Sequence, residues 1–243
     1  MCVFVGAMLG LFAGRALPDH HRQDTSRDAV KLAGGVVATL SALVLGLLVA
    51  SAKDAFTTKE QEIKTAAAKL ILLDRAMANY GPDLAGARGE LRQIVELVIS
   101  SIWPPNDTRP SLRNVGEVGA KLEGIQRRIL GLSPKTKAEE WYQSRSLELL
   151  ADVMQARMLI IEQLSTAIHP VFLVVLILWL TVVFLGFGLI SPHNATTGMA
   201  LSVGALAVSA AILLILEMDR APFSILISIS SEPLRTALMH MGG

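Results

Sequence analysis

Three uncharged apolar runs, residues 32–52, 171–190 and 198–216, constrain the fold of this chain more than any other feature. Each approaches the ~20 residues that a helix needs to cross a hydrocarbon core about 30 Å thick. None contains an Asp, Glu, Lys, Arg or His. The runs imply an integral membrane protein, and a hydrophobic content of 52% in 243 residues agrees, exceeding the roughly 45–50% of ordinary soluble domains.

What lies outside the runs excludes several function classes. Lys and Arg number 22 against 21 Asp and Glu, and the middle stretch is equally balanced, so no basic field exists to hold nucleic acid. Cys2 is the single cysteine, which excludes an intrachain disulfide and any multi-cysteine metal centre. The chain has no His-Glu-x-x-His, no Gly-x-Ser-x-Gly elbow, no Walker-type phosphate loop and no dinucleotide fingerprint. We therefore expect neither an enzyme nor a bound cofactor. Proton-coupled carriers and aspartyl intramembrane proteases need ionisable groups at depth, and the three spans have none.

Residues 1–14 form a weaker apolar run, closer in length to a signal-peptide core than to a span. No basic residue precedes it, and no small-residue cleavage pattern precedes Arg15. It is expected to be a short retained first span, extended by Arg15 snorkelling to the interface, unless translation starts further upstream. Orientation follows the basic residues at span ends. Residues 191–197 carry none, whereas Lys53, Lys59, Lys64 and Lys69 follow the second span and Arg220 and Arg235 follow the last. The loop should face outward, with the termini and middle region cytoplasmic. Arg15, Arg22, Arg27 and Lys31 run against this rule, with Asp19, Asp24 and Asp28 beside them.

The middle stretch reads as helix throughout. Ser26 is a candidate N-cap for one very long helix that continues past Ala52 without Gly or Pro until Gly81-Pro82. Phe56, Ile63, Ala67, Leu70, Ile71 and Met77 recur at helical spacing along its second half. Further helices are predicted over 82–103, ended by Pro104-Pro105, over 115–132 and over 136–168, with His169-Pro170 bending the last into a span. The expected fold class is an all-α integral membrane protein: four transmembrane helices with a cytoplasmic helical region inserted between the second and third spans. The divisions are 1–52, the first two spans; 53–170, a helical region continuous with the second span; and 171–243, the last two spans and an interfacial tail.

The second span carries the strongest pattern. Gly34, Ala38, Ala42, Gly46 and Ala50 form a small residue at every fourth position. A neighbouring row, Gly35, Thr39, Ala42, Gly46, Ala50 and Lys53, mixes steps of three and four and so keeps to one face. Two readings stand. Small side chains let helices in lipid approach closely, so the row can be a packing face. Alternatively, copies of it line a narrow conduit, with charges at the mouth.

Two other polar groups have similar alternatives. Asp19, His20, His21, Asp24 and Asp28 are either solvated turn and cap residues or a cation or proton cluster. Glu217, Asp219 and Arg220 end the last span, and Ser224 starts a run to Ser231 that alternates Ser with Ile or Leu and is too short to cross a bilayer. These residues form an interfacial segment or, in an assembly around an axis, charged rings at a cytoplasmic mouth.

The blocks Leu17-Pro18-Asp19-His20-His21, Ser26-Arg27-Asp28-Ala29-Val30-Lys31-Leu32 and Glu217-Met218-Asp219-Arg220-Ala221-Pro222-Phe223-Ser224, with the second span from Val37 to Lys53, resemble the bacterial bestrophin-like membrane proteins. The resemblance covers nearly the whole chain. It implies four spans in the bacterial inner membrane, a cytosolic helical region between spans two and three, and pentamers that conduct inorganic ions along an axis lined by the second span. Lys53 would then bias the cytoplasmic mouth toward anions. The span lacks the bulky aromatic cluster that would form a hydrophobic neck, since Phe56 lies beyond Lys53. The competing expectation is a non-conducting membrane scaffold or signalling protein whose cytoplasmic helices bind a protein partner.

Overall fold

The computed structural model describes residues 4–6, 8–10, 12, 24–104, 115–165, 170–190, 194–219 and 228–241. Among these, the regular structure is entirely helical. α1 (Asp24–Tyr80) is followed by a 3-10 turn (Pro82–Leu84), then by α2 (Ala85–Ile102), α3 (Val115–Leu130), α4 (Lys137–Ser165), α5 (Pro170–Ile190), α6 (Ala195–Asp219) and α7 (Glu232–His240). Three stretches within them are long and apolar enough to cross a membrane: Leu32–Tyr80, Val171–Leu189 and Thr196–Asp219.

Local chemistry sets the helix ends. α1 holds 57 residues and stops where Gly81 adopts φ 128°, a conformation that L residues rarely adopt. Pro82 then starts the next turn. Gly131 donates its amide to the Arg127 carbonyl at 3.0 Å and closes α3 two residues before the predicted end. Thr136 caps α4, its hydroxyl accepting the Glu139 amide at 3.1 Å, and Asn194 caps α6 by accepting the Thr197 amide at 3.0 Å.

The chain divides into two compact units. The first comprises residues 1–55 and 167–219. Its core is Leu176, Leu180 and Phe184 of α5 with Ala205 of α6, joined by Val44, Leu45 and Leu48 of α1 and by Leu201, Val208 and Ile212 of α6. Gly204 lies under the Phe184 ring, which a Cβ there would meet at 3.4 Å, an ordinary van der Waals contact. The N-terminal run is helical at Phe4–Gly6, Met8–Gly10 and Phe12. Its backbone crosses that of α5 at two glycines one helical turn apart. A Cβ on Gly6 would lie 2.8 Å from the Thr181 methyl and 2.9 Å from its carbonyl oxygen, and one on Gly10 would collide with the Leu185 carbonyl and lie 3.1 Å from the Gly188 Cα. Such closeness needs glycine on the approaching helix.

The second unit comprises residues 56–166 and 220–243. Ile63, Ala67, Leu70, Leu73 and Met77 of α1 pack with Leu91, Ile94 and Val95 of α2, Leu122, Ile125 and Ile129 of α3, and Leu149, Leu150 and Val153 of α4. The 3.6-residue pattern predicted the α1 members Ile63, Ala67, Leu70 and Met77 of this layer. A helix that the sequence pattern did not reveal also joins it: α7 contributes Leu234 and Ala237, and Ile229 and Met241 flank them in the same core. The Trp103 indole N–H donates to the Ile229 carbonyl at 2.7 Å and ties this segment to the end of α2. The end of the Ser224 to Ser231 run is thus part of a packed helical core, whereas an interfacial segment was expected; residues 220–227 lie outside the described residues.

One ion pair lies deep in this unit. Arg88 donates to both carboxylate oxygens of Asp74 at 2.8 Å each, and the Asp74 side chain is only 3% exposed. The hydrogen bond with Asp74 holds the Arg88 guanidinium pKa above its ordinary value, against the opposing effect of burial. Removing Arg88 would leave a buried carboxylate without its cation. Arg88→Met should lower stability by about 3 kcal/mol in denaturant or thermal unfolding, whereas the same substitution at the exposed Arg92 should change it by less than about 0.5 kcal/mol. At the glycine crossing, Gly10→Leu should destabilise the protein by roughly 1–3 kcal/mol, read as a lower thermal midpoint in detergent, while Gly35→Leu, which meets nothing within 4 Å in the protomer, should not strain the packing of that protomer.

Candidate conduit face on the longest helix

The small-residue row predicted in the second span is an uncovered face of α1. Gly35, Thr39, Ala42, Gly46, Ala50 and Lys53 are all exposed in the protomer, and a Cβ placed on Gly35 or Gly46 would have no neighbour within 4 Å. The other side of the helix is packed. Ser41 and Ala52 are fully buried, and Val44, Leu45 and Leu48 join the core with α5 and α6. Large apolar residues Leu32, Val36, Leu40, Leu43 and Leu47 flank the row, also exposed. The uncovered side therefore has a narrow small-residue strip next to a broad aliphatic strip.

The every-fourth-residue ridge does not behave as one surface. Gly34 lies against the Phe187 ring, which a Cβ on that glycine would meet at 3.8 Å, and Ala38 is half-buried, whereas Ala42, Gly46 and Ala50 are open. A row in steps of four drifts around a helix of 3.6 residues per turn, so its first members enter the protomer's own packing.

The polar character of the strip is limited. The Thr39 hydroxyl donates to the Gly35 carbonyl at 2.9 Å, so its proton is already used and its outward features are oxygen lone pairs and a methyl group. Lys53 supplies the one formal charge among the six. Of the residues expected at the mouth, Glu217 is 8% exposed and engaged within the structure, and Asp219 is half-buried and also engaged. Glu217 is thus not presented at an open rim. Arg220 lies outside the described residues, as do Asp19, His20 and His21; Asp24 and Asp28 lie on α1, with side chains that are not described. Among the described residues no three His, Cys, Asp or Glu side chains group in a way that could hold a metal ion. The burial of Lys59 and Ser41 was not foreseen from the sequence, and nothing in their local pattern distinguishes them from exposed neighbours.

This helical plan matches a known family. The family description Bestrophin-like domain matches residues 1–234. The chain belongs to the bestrophin-like family. Solved structures of a bacterial bestrophin homologue from Klebsiella pneumoniae share the fold. The structure phased by zinc anomalous scattering superposes with a TM-score of 0.63 at 15% identity, covering 99% of this chain and 96% of the homologue. A single-substitution variant superposes with a TM-score of 0.66 at the same 15% identity and the same coverage. None of the curated proteins matches the chain in sequence. Family and apolar helices together make this bestrophin-like chain a membrane protein.

Proposed function

We propose that this bestrophin-like protein is one subunit of a homo-oligomeric ion channel, a pentamer by analogy with its family, that conducts small inorganic ions and leans toward anions. In this reading the axial conduit is lined by Gly35, Thr39, Ala42, Gly46 and Ala50, with Lys53 at its cytoplasmic mouth. The single observation that carries it is the side of α1 opposite the core: six small or polar residues in helical register, none covered by the protomer. In lipid, a Gly, Thr or Ala surface gains little from exposure to acyl chains and much from close helix approach or from bordering water. The aliphatic strip of Leu32, Val36, Leu40, Leu43 and Leu47 then supplies the contact with a neighbouring copy or with lipid.

Four spans complete the subunit, the first being the N-terminal helix that crosses α5 at Gly6 and Gly10. The loop between α5 and α6 faces away from the cytoplasm, because it carries no Lys or Arg, and the membrane is the bacterial inner membrane. The second unit is cytoplasmic. The competing reading, a non-conducting scaffold whose cytoplasmic helices bind a protein, draws on Leu130 and Trp141, large apolar side chains each 60% exposed in the second unit.

Purified protein reconstituted in liposomes should pass chloride, and to a lesser extent sodium and potassium, in a flux assay. Thr39→Trp and Ala42→Trp should each reduce that flux by about tenfold or more, since a bulky ring from every copy would fill a strip built from small side chains. Absence of flux in every condition would favour the scaffold, and flux indifferent to both substitutions would move the route off this face.

A further inference from the structure

In its second-unit stretch, residues 56–80, α1 has one buried and one uncovered side, and the exposed charged residues of the uncovered side are Lys64 and Arg75. Ile63, Ala67, Leu70, Leu73 and Met77 face the core, while Gln61, Lys64, Thr65, Ala68, Leu72, Arg75 and Asn79 are exposed. Lys64 and Arg75 are eleven residues apart. Eleven residues turn an α-helix through three full turns plus roughly 20°, so the two cations share a line and are separated by about 16.5 Å along the axis. Lys53 precedes Lys64 by the same interval on the same helix.

The other charges of this stretch are accounted for elsewhere. Asp74 is buried in its bidentate pair with Arg88, Lys69 pairs with Asp152 at 3.3 Å, and Lys59 is buried. Glu62 lies half-buried on a flank, and Glu60 pairs with Lys64 at 2.7 Å. Arg75 makes no ion pair among the described residues. The line therefore has an excess of positive charge whose strongest member is Arg75.

We propose that Lys64 and Arg75 determine the charge preference of the conduit, so that discrimination between anions and cations resides in the cytoplasmic half of α1, beyond the uncharged strip of the span. This rests on the conduit reading above. Repeated in each subunit around an axis, Arg75 forms a basic ring more than a Debye length of ~8–10 Å from Lys64, whose charge is shared with Glu60, so the Arg75 ring raises the local anion concentration on its own and Lys64 adds to it more weakly. Their chemistry suits small, hydrated inorganic anions; the spacing gives no close cluster to hold one tightly.

The test is the chloride-to-potassium permeability ratio, from reversal potentials of the full-length protein in planar bilayers under a potassium chloride gradient. Arg75→Glu should lower the ratio by roughly fivefold or more, Arg75→Gln by an intermediate factor, Lys64→Gln in the same direction, and Arg75→Lys should leave it near the parent value. An unchanged ratio with conductance intact in Arg75→Glu and Lys64→Gln would overturn this inference and leave the conduit standing. A parent protein without conductance would overturn the conduit and the inference with it. Should Arg75→Glu fail to assemble to the parent's size in detergent, the neutral Arg75→Gln decides, because Arg75 is exposed and makes no ion pair among the described residues.

Discussion

The structure depends on how a single 57-residue helix divides its circumference. One side of α1 is consumed by packing within the chain: Val44, Leu45 and Leu48 with α5 and α6 in one unit, Ile63, Leu70, Leu73 and Met77 with α2, α3 and α4 in the other. Over residues 32–80, whose side chains are described, the opposite side is uncovered within each unit. A helix satisfies its backbone hydrogen bonds internally, so it can present a bare face within hydrocarbon without the cost that an open strand edge would incur. What remains to be decided on that face is side-chain chemistry alone.

That chemistry changes along the helix. Within the apolar span the uncovered side is Gly, Thr and Ala bordered by leucines; past Lys53 it becomes mostly polar, with Asp54, Gln61, Lys64, Thr65, Arg75 and Asn79 exposed beside Ala68 and Leu72. Small side chains reduce the distance at which neighbouring helices or ions can approach, and charged ones act over several ångströms of water. One continuous element thereby carries both a steric strip and an electrostatic line, which is the physical basis for the channel reading and for assigning charge preference to Lys64 and Arg75.

Features with a local cause were readable from the chain. Gly81 ends α1 because its φ of 128° suits glycine, and Pro82 follows at once. The core positions Ile63, Ala67, Leu70 and Met77 of α1 followed from the 3.6-residue repeat. Features with remote causes were not readable. Gly6 and Gly10 are unremarkable until Thr181 and Leu185 of α5 are brought beside them. α7 has only nine residues, and the segment before it is tied to Trp103, whose carbonyl partner Ile229 is 126 residues away. Glu217 was expected at a mouth because it follows an apolar run, yet α6 extends through it and places it in a buried position.

The sequence by itself determined that the chain is helical, enters a membrane and has one apolar span with a face of small residues, because span length and the period of 3.6 residues are properties of contiguous chain. Only the tertiary structure decided which side of that span is free. Gly34 and Gly35 are chemically identical neighbours, and one lies against Phe187 while the other meets nothing within 4 Å. Rotation of a helix about its own axis is set by the residues that pack against it, and those residues, on α5 and α6, come from more than a hundred positions further along the chain.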